Sequence, residues 1–202
     1  MPLINIREVY PSVNLGLWQL DESEEEFYTL YPSFLKHKSL LEEHYKNETR
    51  KKEFLGVRAL LHEMLGILDC ELTHNADGKP LLEGYHLSIS HTKGYVALII
   101  SKQREVAVDI EYVSDRVRRI ASKFLRKDER AQDTLEMLVH WCGKETIYKL
   151  FSSQNLGYKE MRVKPFDVNS DWFCQIENMR KHRSVNVDFE VAIDFVLTYC
   201  CL

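Results

Sequence analysis

The sequence predicts an α+β fold in which two similar αβ halves pack against each other as a pseudo-dimer. Three observations predict it. Each half runs from a helical hydrophobic period into strands. No Gly/Ser-rich linker separates the halves. With 45% hydrophobic and 11% aromatic residues, the 202-residue chain can bury one shared core. The halves are expected at residues 1–104 and 105–202, forming a single compact body.

The elements follow in order. Residues 2–20 read as two short strands turning at Pro11 and Ser12. From Asp21 to Leu68 the pattern is helical. Asp21 is placed to cap a glutamate-rich first turn, which suits the positive end of a helix dipole. Leu55, Ala59, Leu60, Met64 and Leu65 recur at helical spacing, and Gly66 closes that helix. Asn75 to Pro80 is a loop, signalled by Asp77-Gly78 and Pro80. Strands are expected at Tyr85–Ser90, Tyr95–Ser101 and Val106–Glu111, helices at Val113–Leu125 and Asp133–Leu150, and Val/Phe/Ile/Tyr-rich strands from Tyr158 onward.

Bulk properties exclude several classes. The first twenty residues do not read as a secretory signal, and no apolar run is long enough to span a bilayer. The five cysteines (Cys70, Cys142, Cys174, Cys200, Cys201) have no metal-like pair spacing, and reduced thiols in the cytoplasm fit them best. The formal charge of -4 argues against a general nucleic-acid binder. Yet Arg116, Arg118, Arg119, Lys123, Arg126, Lys127 and Arg130 crowd into one stretch, opposed there by Asp115, Asp128 and Glu129. A basic stripe on an acidic protein points either to one particular acidic partner or to a solvated helix face.

Three clusters carry chemistry. Asp109 and Glu111 stand two apart at the end of the apolar run Val106-Ala107-Val108, so on a strand both carboxylates share a side. Such a pair is either a solvated strand end or a hard-oxygen site, favouring magnesium or calcium over zinc. Trp141, Glu145 and Lys149 lie at i, i+4 and i+8 of one helical stripe. That stripe is either a surface ion pair or, given the Trp, a face turned towards protein. Leu87-Ser88-Ile89-Ser90-His91 is a strand ending in a polar pair. His91 there is either a structural hydrogen-bonder or, with the Ser90 hydroxyl, a donor to phosphate. Lys79 sits in the constrained Gly78-Lys79-Pro80 loop, while Lys51, Lys52 and Arg58 decorate a helix.

Taken in order, Gly78-Lys79-Pro80, Ser88-Ile89-Ser90-His91, Ala107-Val108-Asp109-Ile110-Glu111 and Trp141-Cys142-Gly143-Lys144-Glu145-Thr146-Ile147-Tyr148-Lys149 resemble the motifs of 4'-phosphopantetheinyl transferases of the larger, two-halved (Sfp-like) type. The resemblance covers about Lys51 to Lys149, half the chain. The leucine-rich Leu55–Leu61 helix also resembles one that precedes those motifs in relatives. Ala107 stands where glycine is common, Cys142 where Ser or Thr is, and Thr146 where Ser or Ala is.

The resemblance implies transfer of the 4'-phosphopantetheine arm of coenzyme A to a serine of an acyl or peptidyl carrier protein, releasing adenosine 3',5'-bisphosphate. It implies Mg²⁺ on Asp109, Glu111 and Glu145, with Lys149 and His91 at the phosphates. Glu145, Lys144 or a metal-bound water would take the serine proton. Coenzyme A would contact Lys52, Arg58, Lys79, Pro80, Ser90 and His91 from the N-terminal half and Lys149 from the C-terminal half, and an acidic carrier would dock on Arg116, Lys123 and Arg126. A monomer is implied by resemblance alone. The competing expectation is a non-catalytic coenzyme A or nucleotide binder that retains the fold. A nucleic-acid binder lacks aromatics interleaved with the arginines. A metalloprotease prompted by His62-Glu63 lacks the second histidine at helical spacing.

Overall fold

The computed structural model describes residues 3–67 and 71–202, so Leu68 and Cys70 lie outside the described residues. The opening hairpin, β1 (Leu3–Tyr10) and β2 (Val13–Gln19), turns at Pro11 and Ser12 as expected. Helices α1 (Glu24–Leu30), α2 (Lys38–His44) and α3 (Glu48–Leu65) follow. Ser23, not Asp21, caps α1: its side chain accepts from the Glu26 N–H, and the Glu26 carboxylate accepts from the Ser23 N–H. This reciprocal box satisfies two donors that Asp21, two residues further back, cannot reach. Gly66 ends α3 at φ 67°, a left-handed conformation that glycine adopts at little cost.

A small hairpin, β3 (Thr73–His74) and β4 (Pro80–Leu81), frames the Asn75–Lys79 loop. Strands β5 (His86–Thr92), β6 (Tyr95–Ser101) and β7 (Val106–Tyr112) come next, then α4 (Arg116–Phe124), shorter than expected by three residues at its start. Helix α5 (Thr134–Leu150) is capped by Asp133, whose side chain accepts from the Glu136 N–H. The chain closes with β8 (Met161–Val163), β9 (Phe173–Asn178), β10 (Arg183–Val191) and β11 (Phe195–Cys201). Among the described residues no helix is long and apolar enough to cross a membrane.

Two antiparallel sheets result, ordered β1-β2-β6-β5 and β7-β11-β10-β9-β8. Strand alternation sorts their side chains into three cores. On β6, Val96, Leu98 and Ile100 join Leu55, Leu60 and Leu61 of α3. Ala97 and Ile99 point the other way and meet Val106, Val108 and Ile110 of β7. On β7, Ala107 faces the third core, with Val139, Cys142 and Ile147 of α5. The layers are therefore helix, sheet, sheet, helix. Most of the buried side chains in these three cores are Leu, Ile or Val, so apolar burial dominates the assembly.

Strands β5 and β7 run side by side where the sheets meet, and here side chains replace a backbone ladder. The Ser88 hydroxyl accepts from the Val108 N–H at 3.2 Å, and the Thr92 hydroxyl from the Tyr112 N–H at 2.9 Å. The hydroxyls stand four residues apart on β5 and the N–H groups four apart on β7, so both donors are satisfied.

Candidate functional site

The seam between β5, β7 and α5 gathers the polar side chains that the sequence singles out. Because Ala107 faces α5, strand alternation turns Asp109 and Glu111 to the same helix. Gly143 lets that helix lie close: a Cβ there would stand 2.8 Å from Ile176 Cδ1 on β9.

Asp109 is 4% exposed. Its Oδ1 accepts from the Ser90 hydroxyl at 2.8 Å and from Lys149 Nζ at 2.7 Å, while its buried Oδ2 has no hydrogen-bond partner. Such an orphaned buried oxygen is costly unless something else approaches it. Lys149 Nζ also donates to the carbonyl oxygens of Val108 and Ile89.

Glu111 accepts from Trp141 Nε1 at 2.8 Å. Burial pushes its carboxyl up to about 7, and the charges of Asp109 and Glu145 act in the same direction against the Trp141 hydrogen bond. Glu145 is also raised by burial, opposed by a hydrogen bond from the Tyr158 hydroxyl. The three carboxylates thus share one electrostatic neighbourhood, each held by its own donor. Among the described residues, no three His, Cys, Asp or Glu side chains are set to close on a metal ion as they stand. The donor set still fits a hard divalent cation: three carboxylates that disfavour each other's charge, and one buried oxygen left unsatisfied.

A cavity of about 370 Å³ lies on the β5 side, lined by Tyr45, Arg50, Glu53, Phe54, Arg58, Pro80, Ile89 and His91 among others. His91 is held on both nitrogens: Nδ1 is 3.4 Å from Glu53 Oε1, and Nε2 is 3.4 Å from Arg50 Nη1. This geometry suits a neutral ring that donates from Nδ1 and accepts at Nε2, and burial lowers its pKa accordingly. The Arg58 guanidinium stacks over the Phe54 ring. A separate groove of about 660 Å³ runs past Thr92, Lys93, Glu111, Arg116, Ile120 and Trp141.

Several expected site residues are placed elsewhere. Lys144 is fully buried, its Nζ donating to the Phe124 carbonyl and to Glu129 Oε2, both at 2.7 Å. It stands one position round the helix from the Trp141, Glu145 and Lys149 stripe, so it joins an internal ion pair and not the carboxylate cluster. Lys79 pairs with Glu105 at 3.2 Å, and only its neighbours Gly78 and Pro80 line the cavity. Lys52 is half-buried and not among the residues lining that cavity. Arg126 binds Asp128 and the Lys159 carbonyl, whereas Arg116 and Lys123 are exposed.

Two residues of the site escaped sequence reasoning. Arg50 lies in the first turn of α3, one position before the lysines that were noticed. Tyr158 follows α5 after a turn, outside every motif. The signal that remained for it was the pairing of a tyrosine with a helix stripe already rich in Trp and Glu.

Residues 105–200 match the family model described as the 4'-phosphopantetheinyl transferase superfamily. The matched segment contains Asp109, Glu111, Trp141, Glu145 and Lys149. No curated protein matches the chain significantly.

Proposed function

We propose, with residues 105–200 forming a domain of the 4'-phosphopantetheinyl transferase superfamily, that the whole chain is an enzyme of the larger, two-halved type. It moves the 4'-phosphopantetheine arm of coenzyme A to a serine hydroxyl of an acyl or peptidyl carrier protein and releases adenosine 3',5'-bisphosphate. The observation that carries this is the cluster of Asp109, Glu111 and Glu145 beside Lys149, set where the two sheets meet, with Glu111 lining the groove and His91, next to Ser90 on β5, lining the cavity.

Asp109, Glu111 and Glu145 would hold Mg²⁺. The cation, when bound, supplies charge neutralisation at the pyrophosphate oxygens. The remaining work falls to the chain. Tyr45 and Phe54 give the 370 Å³ cavity apolar walls, and Arg50 and Arg58 give it cationic ones, a combination suited to a phosphorylated nucleotide. Neutral His91 can donate to a phosphate oxygen by exchanging its Glu53 partner. Lys149, with its side chain 27% exposed, offers an ammonium at the same edge.

The carrier's serine enters from the groove past Lys93 and Arg116. Its proton passes to a carboxylate of the cluster. Lys144 does not serve, because Glu129 and the Phe124 carbonyl enclose its ammonium. Exposed Arg116 and Lys123 steer an acidic carrier.

Intact-mass spectrometry tests this. An apo carrier protein incubated with this protein, coenzyme A and Mg²⁺ is expected to gain one phosphopantetheine. The gain should vanish on chelation and in Asp109→Ala or Glu145→Ala. Absence of the gain across several carriers, despite tight coenzyme A binding, would establish a non-catalytic binder instead.

A further inference from the structure

The turn that follows α5 is held by more bonds than its length requires, and what it presents is Tyr158. Asn155 takes a positive φ of 45°, and Leu156 is buried at 3% exposure in the core beneath α5. The Gly157 N–H donates to Glu160 Oε2 at 2.8 Å, and the Met179 N–H donates to the Glu160 carbonyl at 2.9 Å. Arg180 pairs with the Glu160 carboxylate, and the Arg126 guanidinium donates to the Lys159 carbonyl. Asparagine adopts the left-handed region more readily than most residues, and these bonds then fix the turn in one geometry.

The fixed side chain meets the carboxylate cluster. The Tyr158 hydroxyl donates to Glu145 Oε1, and its ring packs on Trp141 with centroids 5.0 Å apart. Trp141 in turn donates to Glu111 Oε1. Two packed aromatic rings therefore present two donors, one to each glutamate. Phe124 backs the pair, its ring 5.3 Å from Trp141. If the ring were wanted for packing alone, phenylalanine would fill the same space with no hydroxyl to satisfy.

We infer that Tyr158 is a positioning residue of the carboxylate cluster, holding Glu145 by one oxygen so that the other stays available to a divalent cation. The inference rests on the reading of Asp109, Glu111 and Glu145 as the cation's ligands, and it places a working residue in the segment beyond the recognised motifs. Tyr158 acts through Glu145. Outer partners that orient a ligand in this way commonly change metal affinity by 10- to 100-fold when removed.

The test is Tyr158→Phe, which keeps the ring and deletes the hydroxyl. Mn²⁺ is titrated into the wild-type chain and the variant, with binding followed by water-proton relaxation. Roughly tenfold weaker Mn²⁺ binding is expected in the variant, with its melting temperature and its metal-free coenzyme A affinity close to wild type. A purely structural hydroxyl would move the melting temperature and leave Mn²⁺ affinity alone. Equal Mn²⁺ affinity in both proteins overturns the inference, as does a wild-type chain that binds no Mn²⁺. If the variant binds Mn²⁺ weakly but the wild type transfers no phosphopantetheine, the positioning role stands and the enzymatic reading falls.

Discussion

Lys149 Nζ lies 2.7 Å from Asp109 Oδ1, and the same ammonium donates to the Val108 and Ile89 carbonyls, so one side chain from α5 ties both central strands together. It neutralises a carboxylate that is otherwise deeply buried. Removing the lysine would leave that carboxylate held by the Ser90 hydroxyl.

Lys149→Met is therefore expected to lower stability by about 2–3 kcal/mol, somewhat less than a wholly enclosed pair because the lysine is partly exposed. Adding Asp109→Asn should restore part of that loss, with a coupling of roughly 1–3 kcal/mol for two groups in contact. Urea denaturation of the two single variants and the double measures it. Additive losses would show that the pair contributes nothing beyond its separate contacts. Transfer activity should stay absent in the double variant, which separates the structural role of the pair from its chemical one.

Lys144 makes a contrasting case. Burial lowers its pKa, and the Glu129 carboxylate opposes that shift. Glu129 also accepts from the Arg126 and Val163 N–H groups, so the pair joins α5 to the turn after α4 and to β8. Lys144→Met should cost about 3–5 kcal/mol, since it strands a buried charge. Chemical denaturation checks this. A variant of wild-type stability that had lost turnover alone would restore Lys144 to the chemistry.

The difference between these two lysines shows what a sequence can carry. Asp109 and Glu111 were legible because strand alternation works over two residues, and Trp141, Glu145 and Lys149 because helical period works over eight. The seam itself was half legible: the Ser88, Ser90 and Thr92 alternation marks a polar strand face, but nothing local says that β7 lies against it. The burial of Lys144 was not legible because its partner Glu129 sits fifteen residues away across a loop. Lys79 differs from its expected placement for the same reason, since Glu105, twenty-six residues on, takes it by tertiary proximity, whereas Arg126 is taken by the nearby Asp128. Tyr158 reaches Glu145 only through the path of an irregular turn, which has no period to read.

Glu111 sets a pH dependence. Its folded pKa, near 7, lies above its unfolded value of 4.5. Between those values the folded chain holds a proton that the unfolded chain releases. The group's contribution to stability is thus full below pH 4.5 and is lost as pH rises through about 7. The unfolding free energy of the metal-free protein, from urea titrations between pH 5 and 8, should fall with rising pH by about 2 kcal/mol from this group. Glu111→Gln should flatten that slope. An unchanged slope in the variant would assign it to other groups.

The basic stretch divides in the same way as the lysines. Arg116 and Lys123 stand exposed on α4, whereas Arg126 is held by Asp128 and the Lys159 carbonyl. With an acidic carrier as substrate, Arg116→Ala and Lys123→Ala should each raise the carrier KM about threefold at low salt, with kcat little changed, and the effect should shrink as added salt screens surface charge beyond about 8 Å. Arg126→Ala should act differently, because its loss frees the turn that carries Tyr158. It should weaken Mn²⁺ binding in a manner that salt does not restore. Carrier titrations at several ionic strengths distinguish the two behaviours, and equal salt dependence in all three variants would show that Arg126 also faces the carrier.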